Sequence, residues 1–235
     1  MKKLILLIII ALPLFVNAQT DFQLHYDMGK FEDGSKRDFF VGTFETLHFD
    51  SLGYTYAFVD MEFDNPTNPK GASLGYFEIA RTLNLSHNFM LHIEYNDGLV
   101  IYPMNDSTML GENLRNSWLG GLEYGFVSGN GNLCINPMIL YKYIYGSSKP
   151  DFQFTTTWAW NIFDNRFSLL GYVDVWSQDD FYGNPNKKKL VLYSEPQIWL
   201  NLGHLSVGSE IKISKNFFSS KRFEAFPTLG LKYQF

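Results

Sequence analysis

The chain has 235 residues and a net charge of −5, with 19 Lys+Arg against 24 Asp+Glu, so it lacks the basic face that a nucleic-acid polymer requires. Its single cysteine, Cys134, excludes an intramolecular disulfide framework and a thiolate zinc cluster. Hydrophobic residues make up 46%, too many for a disordered chain, and aromatics reach 17% while charged residues stay at 18%, below the usual quarter.

The first element is an export signal. Lys2 and Lys3 precede an apolar run of 13 residues, Leu4 to Val16, and Val16-Asn17-Ala18 places small residues at −3 and −1 before Gln19. The run is interrupted by Pro13 and is too short to cross a hydrocarbon core of about 30 Å as a helix. Residues 1–18 are therefore expected to be cleaved, which takes the net charge from −5 to −7 with the loss of Lys2 and Lys3. Residues 19–235 are expected to form one domain. They hold no mainly apolar stretch long enough for a membrane helix, so the mature chain is either soluble outside the cytoplasm or a barrel.

From there the dominant signal is alternation with period two. His92, Glu94 and Asn96 alternate with Leu91, Ile93 and Tyr95, and Ser206, Gly208, Glu210 and Lys212 with Leu205, Val207, Ile211 and Ile213. The pattern predicts twelve strands over 21–28, 37–49, 53–63, 72–84, 89–99, 116–127, 132–145, 151–163, 166–176, 189–200, 204–214 and 224–235. Most are 10 to 14 residues long, against about 5–6 in soluble proteins and about 9–11 for a tilted strand crossing a bilayer. Joints alternate between short, as at Asp50-Ser51-Leu52 and Asp164-Asn165, and long, as at 100–115 and 177–188. That is the pattern of a transmembrane barrel with short periplasmic turns and longer outer loops, and an even strand count puts both termini at the turn side. Aromatics near strand ends (Phe39, Phe40, Phe63, Tyr143, Tyr145, Phe152, Phe163, Phe167, Trp176, Trp199 and Phe235) are expected to form the interfacial girdles. The rival architecture, a soluble sandwich with an aromatic core, does not explain the strand length. The fold expected is all-β, a single antiparallel transmembrane barrel of about twelve strands.

In such a barrel the polar parity faces the lumen. That parity collects Glu45, Asp60, Glu62, Glu78, His92, Glu94, Glu123, Lys142, Asp174, Glu195, Glu210, Lys212 and Lys232, with Tyr54, Tyr56, Tyr76, Tyr172 and Tyr193. Nine carboxylates against three lysines and a histidine make the interior acidic. Twelve strands lie between the roughly eight that side chains fill and the 16–18 or so of open porins, so the passage should be narrow. Aromatic faces and carboxylates together suit a small flat polar solute such as a nucleoside: a base stacks on Tyr while ribose hydroxyls donate to Asp or Glu. The alternative for each carboxylate is a structural partner in a polar network.

Several segments carry a family resemblance: Gln23-Leu24-His25-Tyr26-Asp27, Phe77-Glu78-Ile79-Ala80-Arg81, His92-Ile93-Glu94-Tyr95, Gly171-Tyr172-Val173-Asp174-Val175-Trp176, Glu195-Pro196-Gln197-Ile198-Trp199 and the closing Gly230-Leu231-Lys232-Tyr233-Gln234-Phe235. Through them the chain resembles the Tsx-type nucleoside-specific channels of Gram-negative outer membranes, by way of a related branch of barrels. The resemblance implies a monomeric barrel in outer-membrane lipid and lipopolysaccharide, with a solute in its lumen. It adds Arg81 to the candidate lumen residues, because Glu78 and Arg81 fall on the segment most like that family's Glu- and Arg-bearing strand. The terminal Phe235 resembles the signal read by the barrel-assembly machinery.

Rival chemistries are weaker. His204 and Ser206 share a strand face, but no carboxylate orients them as a hydrolase would need. His92 and Glu94 alone close no metal shell. No catalysis and no cofactor are expected. Lys187-Lys188-Lys189 could meet lipopolysaccharide phosphate or be a solvated loop. Pro137 and Pro196 inside strands are expected to mark bulges. A barrel with a plugged lumen that works through its outer loops is the second functional reading.

Overall fold

The computed structural model describes residues 18–235 apart from 30–37, 65–70, 106–107, 182, 185 and 218–219. The expected signal segment, through residue 17, lies outside them. Among the described residues the chain forms fifteen strands and no helix: β1 (Ala18–Asp27), β2 (Phe39–Asp50), β3 (Gly53–Phe63), β4 (Ala72–Ser86), β5 (Phe89–Asn105), β6 (Thr108–Asn113), β7 (Ser117–Tyr124), β8 (Phe126–Val127), β9 (Leu133–Ile144), β10 (Asp151–Ile162), β11 (Phe167–Asp179), β12 (Lys188–Ser194), β13 (Gln197–Leu202), β14 (Leu205–Lys215) and β15 (Phe223–Gln234).

These build a wall of twelve antiparallel positions. Strands β6, β7 and β8 run successively along one path between β5 and β9. Strands β12 and β13 share another between β11 and β14. The wall closes where β1 pairs with β15, from Asp21 opposite Gln234 to Asp27 opposite Thr228. Closure leaves no sheet edge, the only way strands satisfy their backbone groups in lipid.

The side chains are arranged inside out. Ile139 is 67% exposed while the next residue, Leu140, is fully buried. Phe22, Leu24, Phe44, Ile79, Ile93, Leu229 and Leu231 are likewise exposed on the outer face. Gln23, His25, Thr82, Glu123 and Thr228 are buried inside. An apolar exterior on a closed barrel is the pattern of a membrane-spanning wall. Aromatic belts flank it. Tyr95 packs against Phe77 and Trp118, with ring centroids 5.8 and 4.7 Å away, toward the long loops. Phe89–Tyr124 and Tyr233–Phe235 do so at 5.2 and 5.3 Å toward the short turns.

Three of the aromatics expected in the belts are not there. Phe39, Trp176 and Trp199 are buried on the inner parity, because the alternation of their strands turns them into the barrel. The expected loop 100–115 is also largely strand: β5 runs on to Asn105 and pairs with β6, raising a ribbon above the wall. The two prolines do not mark bulges. Val173 faces Ser194 and Leu170 faces Gln197, so the pairing of β12 and β13 keeps one register across Pro196. Pro137 stands in register opposite Thr156. Each proline omits one donor without adding a residue. Register shifts occur instead at Glu62/Phe63, Asn84/Ser86 and Pro103/Asn105. A further residue is absorbed near Arg115, since Leu99 faces Asn113 but Asn96 faces Ser117.

Short turns hold the other end. At β2–β3, Asp50 Oδ1 accepts from the Leu52 and Gly53 amides at 2.8 and 3.1 Å. At β4–β5, His87 and Asn88 both adopt left-handed backbone, with φ of 50° and 68°, the geometry of a tight hairpin whose twist matches its strands.

Candidate functional site

The barrel interior contains three polar groupings and a partial apolar collar confined to the β9–β12 side. The first lies near the short turns. Glu123 of β7 accepts the Tyr54 hydroxyl at 2.5 Å on Oε1 and the Thr82 hydroxyl at 3.1 Å on Oε2. The His92 ring stands between two carboxylates, Nδ1 3.2 Å from Glu123 Oε2 and Nε2 3.2 Å from Glu94 Oε2. Asn96 Nδ2 then donates to Glu94 Oε1 at 3.1 Å. The chain Tyr54–Glu123–His92–Glu94–Asn96 thus ties β3, β4, β5 and β7 together from the inside. A buried charge that is paired and hydrogen-bonded in this way avoids most of the penalty of an isolated one.

The second grouping is on β11 to β14. Glu195 accepts from the Tyr172 hydroxyl at 2.9 Å and the Tyr193 hydroxyl at 2.6 Å. Lys212 Nζ lies 3.7 Å from Glu195 Oε1 and 3.9 Å from Glu210 Oε1, and Gln197 Nε2 donates to Glu210 Oε2 at 2.7 Å. Beside it, Asp174 accepts from Thr155 at 2.6 Å. Lys142 donates to Gln153 at 2.6 Å and places its ammonium 4.2 Å over the Trp176 ring. Half a turn round the wall, β3 and β4 present Tyr56, Phe58 and Tyr76, the Phe58 ring 5.8 Å from each tyrosine. On this wall Asp60 accepts from Thr43 at 2.5 Å and Glu78 from Tyr76 at 3.2 Å. The two walls lie on opposite sides of the ring of strands and both turn this polar parity inward. The middle of the lumen is therefore a slot with tyrosines and carboxylates on both sides.

The third grouping surrounds Trp199. Lys232 Nζ lies 4.4 Å over its ring and His25 meets it edge-on at 5.6 Å. His25 is held by Gln23 at 3.0 Å and Thr228 at 2.9 Å. Gln23 Nε2 also reaches Glu45 Oε2 at 3.4 Å.

Toward the long loops the lining changes character. Ile144, Trp176 and Val191 form a buried apolar cluster, against which Phe181, Tyr193 and Phe217 pack.

Of the residues read from the sequence, Tyr54, Tyr56, Asp60, Glu62, Glu78, His92, Glu94, Glu123, Asp174, Glu195, Glu210 and Lys212 stand on the inner parity. Arg81 does not. It shares the outer parity of Phe77 and Ile79, and its guanidinium binds Asp50 at 2.8 Å and Thr55 at 3.1 Å at the turn-side rim. A side chain three residues from Glu78 on a strand must face the opposite way. His204 and Ser206 do not pair: His204 Nδ1 meets the Gln234 carbonyl at 2.8 Å and Ser206 donates to Asn201 at 2.8 Å. Lys188 bridges Asp151 and Asp179, each at 2.8 Å, and Lys189 lies 3.8 Å from Asp180, so two of the three lysines of 187–189 are engaged within the chain. The sequence reading missed Gln23, His25, Thr82, Gln153, Thr155 and Thr228. All lie on the polar parity of their strands and were findable by extending it to uncharged side chains.

Solved structures share this architecture. The NanC porin in its rhombohedral crystal form aligns over 92% of this chain and 100% of its own, at 10% identity and a TM-score of 0.56. The KdgM porin covers 92% and 99% at 8% identity and a TM-score of 0.47. The outer-membrane channel DcaP of Acinetobacter baumannii covers 93% and 96% at 10% identity and 0.43. At such identities the likeness is one of fold: the chain is a closed twelve-position antiparallel β-barrel of the NanC architecture. No curated protein sequence matches the chain. A family profile matches residues 18–235, nearly the whole length, and the chain belongs to that family, described as "Domain of unknown function (DUF5020)".

Proposed function

We propose that this barrel is an outer-membrane channel for passive diffusion of small polar solutes, with nucleosides the first candidates. The observation that carries the reading is the tyrosine–carboxylate lining of the lumen: Tyr56 and Tyr76 flank Phe58 on one wall, Tyr172 and Tyr193 lie 6.2 Å apart and both hold Glu195 on another, and Asp60, Glu78 and Asp174 share the inner parity. A flat base stacks on the tyrosine faces while hydroxyls donate to the carboxylates, giving sites weak enough to release. The porin-type fold is consistent with transport, and the acidic lining opposes acidic solutes. No cofactor and no catalytic step form part of this reading. It includes cleavage of residues 1–18, a monomer in outer-membrane lipid and lipopolysaccharide, and delivery by the barrel-assembly machinery through Phe235.

The test is uptake of nucleosides into liposomes carrying the refolded mature protein, with uncharged sugars of similar size as controls. Selective nucleoside entry supports the reading. Equal entry of all solutes makes it a general small pore. No entry through a folded barrel favours the second reading, a plugged barrel acting through its outer loops, which the apolar collar of Ile144, Trp176 and Val191 also suits.

A further inference from the structure

The collar and the loop above it suggest how passage is limited. Phe217 belongs to the outer connection between β14 and β15, yet its ring is turned into the barrel mouth. It lies 4.7 Å from the Tyr193 ring and 6.0 Å from the Trp176 ring, edge-on to the latter. Tyr193 is the residue whose hydroxyl holds Glu195 at 2.6 Å. Phe217 therefore sits on top of the tyrosine–carboxylate slot. Around it Ile144, Trp176 and Val191 are all buried, with Val191 fully so. Each lies near the outer end of its strand, so they share one level. Together with Phe217 they make this side of the mouth apolar, and an apolar lining in a narrow passage opposes ions and polar solutes because it does not stay wet.

We infer that Phe217 is the size- and polarity-determining residue of the outer entrance, closing the route to the slot by packing on Trp176 and Tyr193. The inference rests on the channel reading. It assigns the barrier to one ring on a loop, not to the wall, so removing the ring should open the entrance while leaving the twelve-position wall intact. A phenylalanine ring carries no hydrogen-bonding N–H or O–H, so its loss removes no hydrogen bond from the wall ladder.

The experiment compares the parent protein with F217A, F217L and F217W, and with K221A as a control on the same loop, each refolded and checked by the gel shift of a folded barrel. Single-channel conductance in planar bilayers is read in potassium chloride, and nucleoside uptake in liposomes. The expected result is a severalfold rise in conductance for F217A, a smaller rise for F217L, no rise for F217W and no change for K221A. Conductance of F217A equal to the parent overturns the inference, whether both conduct or neither does. A folded F217A whose conductance rises above the parent's without preferring nucleosides upholds the entrance role and rejects the nucleoside reading, so the two fail separately. Should F217A not refold, F217L decides: a conductance equal to the parent overturns the inference, and a rise upholds it.

Discussion

The Tyr54 hydroxyl donates to Glu123 Oε1 at 2.5 Å although β3 and β7 share no backbone hydrogen bond. The bond crosses behind β4 and β5, and it acts as a strut inside the barrel. Glu123 also serves Thr82 and His92, so one carboxylate anchors three strands. Replacing it with alanine leaves the His92 ring short of a partner in a buried setting. The expected cost of E123A is about 3–5 kcal/mol, the usual penalty for breaking a buried ionic network from one side. E123Q, which keeps an acceptor, should cost less. Urea unfolding followed by gel shift reads both. An unchanged midpoint for E123A would show that the strut carries no stability.

The slot makes a different prediction. Glu78 of β4 and Asp174 of β11 both line the lumen, away from the His92 and Trp199 networks. E78A and D174A should lower nucleoside uptake more than they lower potassium conductance. Equal losses in both would remove the case for a specific site.

Charge selectivity follows from the lining. Carboxylates outnumber lysines on the inner parity, and the lumen is narrow enough for their fields to overlap. A salt gradient across a bilayer should give a reversal potential favouring cations. The preference should weaken in E195Q and E210Q, and at high salt as the charges are screened. Anion preference in the parent would overturn the lumen assignment.

Trp199 is fully buried and fills a notch made by glycines on the next two strands, Gly208 of β14 and Gly230 of β15. A methyl group at Gly230 would stand 2.9 Å from the Trp199 ring and from His25 Nδ1, and one at Gly208 would stand 2.6 Å from the same ring. W199A should therefore cost about 3–5 kcal/mol through the cavity it leaves. G230A should cost about 1–3 kcal/mol through overpacking. Thermal unfolding by gel shift distinguishes both from the parent, and a G230A barrel as stable as the parent would mean the notch has slack.

Alternation read the wall and the slot well because period two is a rigid property of strands: knowing that Glu78 faces in fixes Tyr76 and Ala80. It was set aside for Arg81, where resemblance to a family motif outweighed a spacing that excludes a shared face. Phe39, Trp176 and Trp199 were misplaced for another reason. An aromatic near a strand end suits either side of the wall, and only the parity of its neighbours decides. The β5–β6 ribbon was hidden by Pro103 and Asn105, which look like loop residues but here pair with β6. Phe217 lay beyond periodicity altogether, since a connection has no face until the fold bends it inward.

The seam between β1 and β15 sets the order of assembly. The barrel's first and last strands are each other's neighbours, so the ring remains an open sheet until β15 arrives. Until then the sheet has two unpaired edges and an apolar face without its lipid. A chain cut short before Phe223 would have every lumen residue named above except Thr228 and Lys232, yet no closed wall to hold them. Such a fragment should be cleared by periplasmic proteolysis and not inserted, and escort by a holding chaperone becomes a condition of biogenesis.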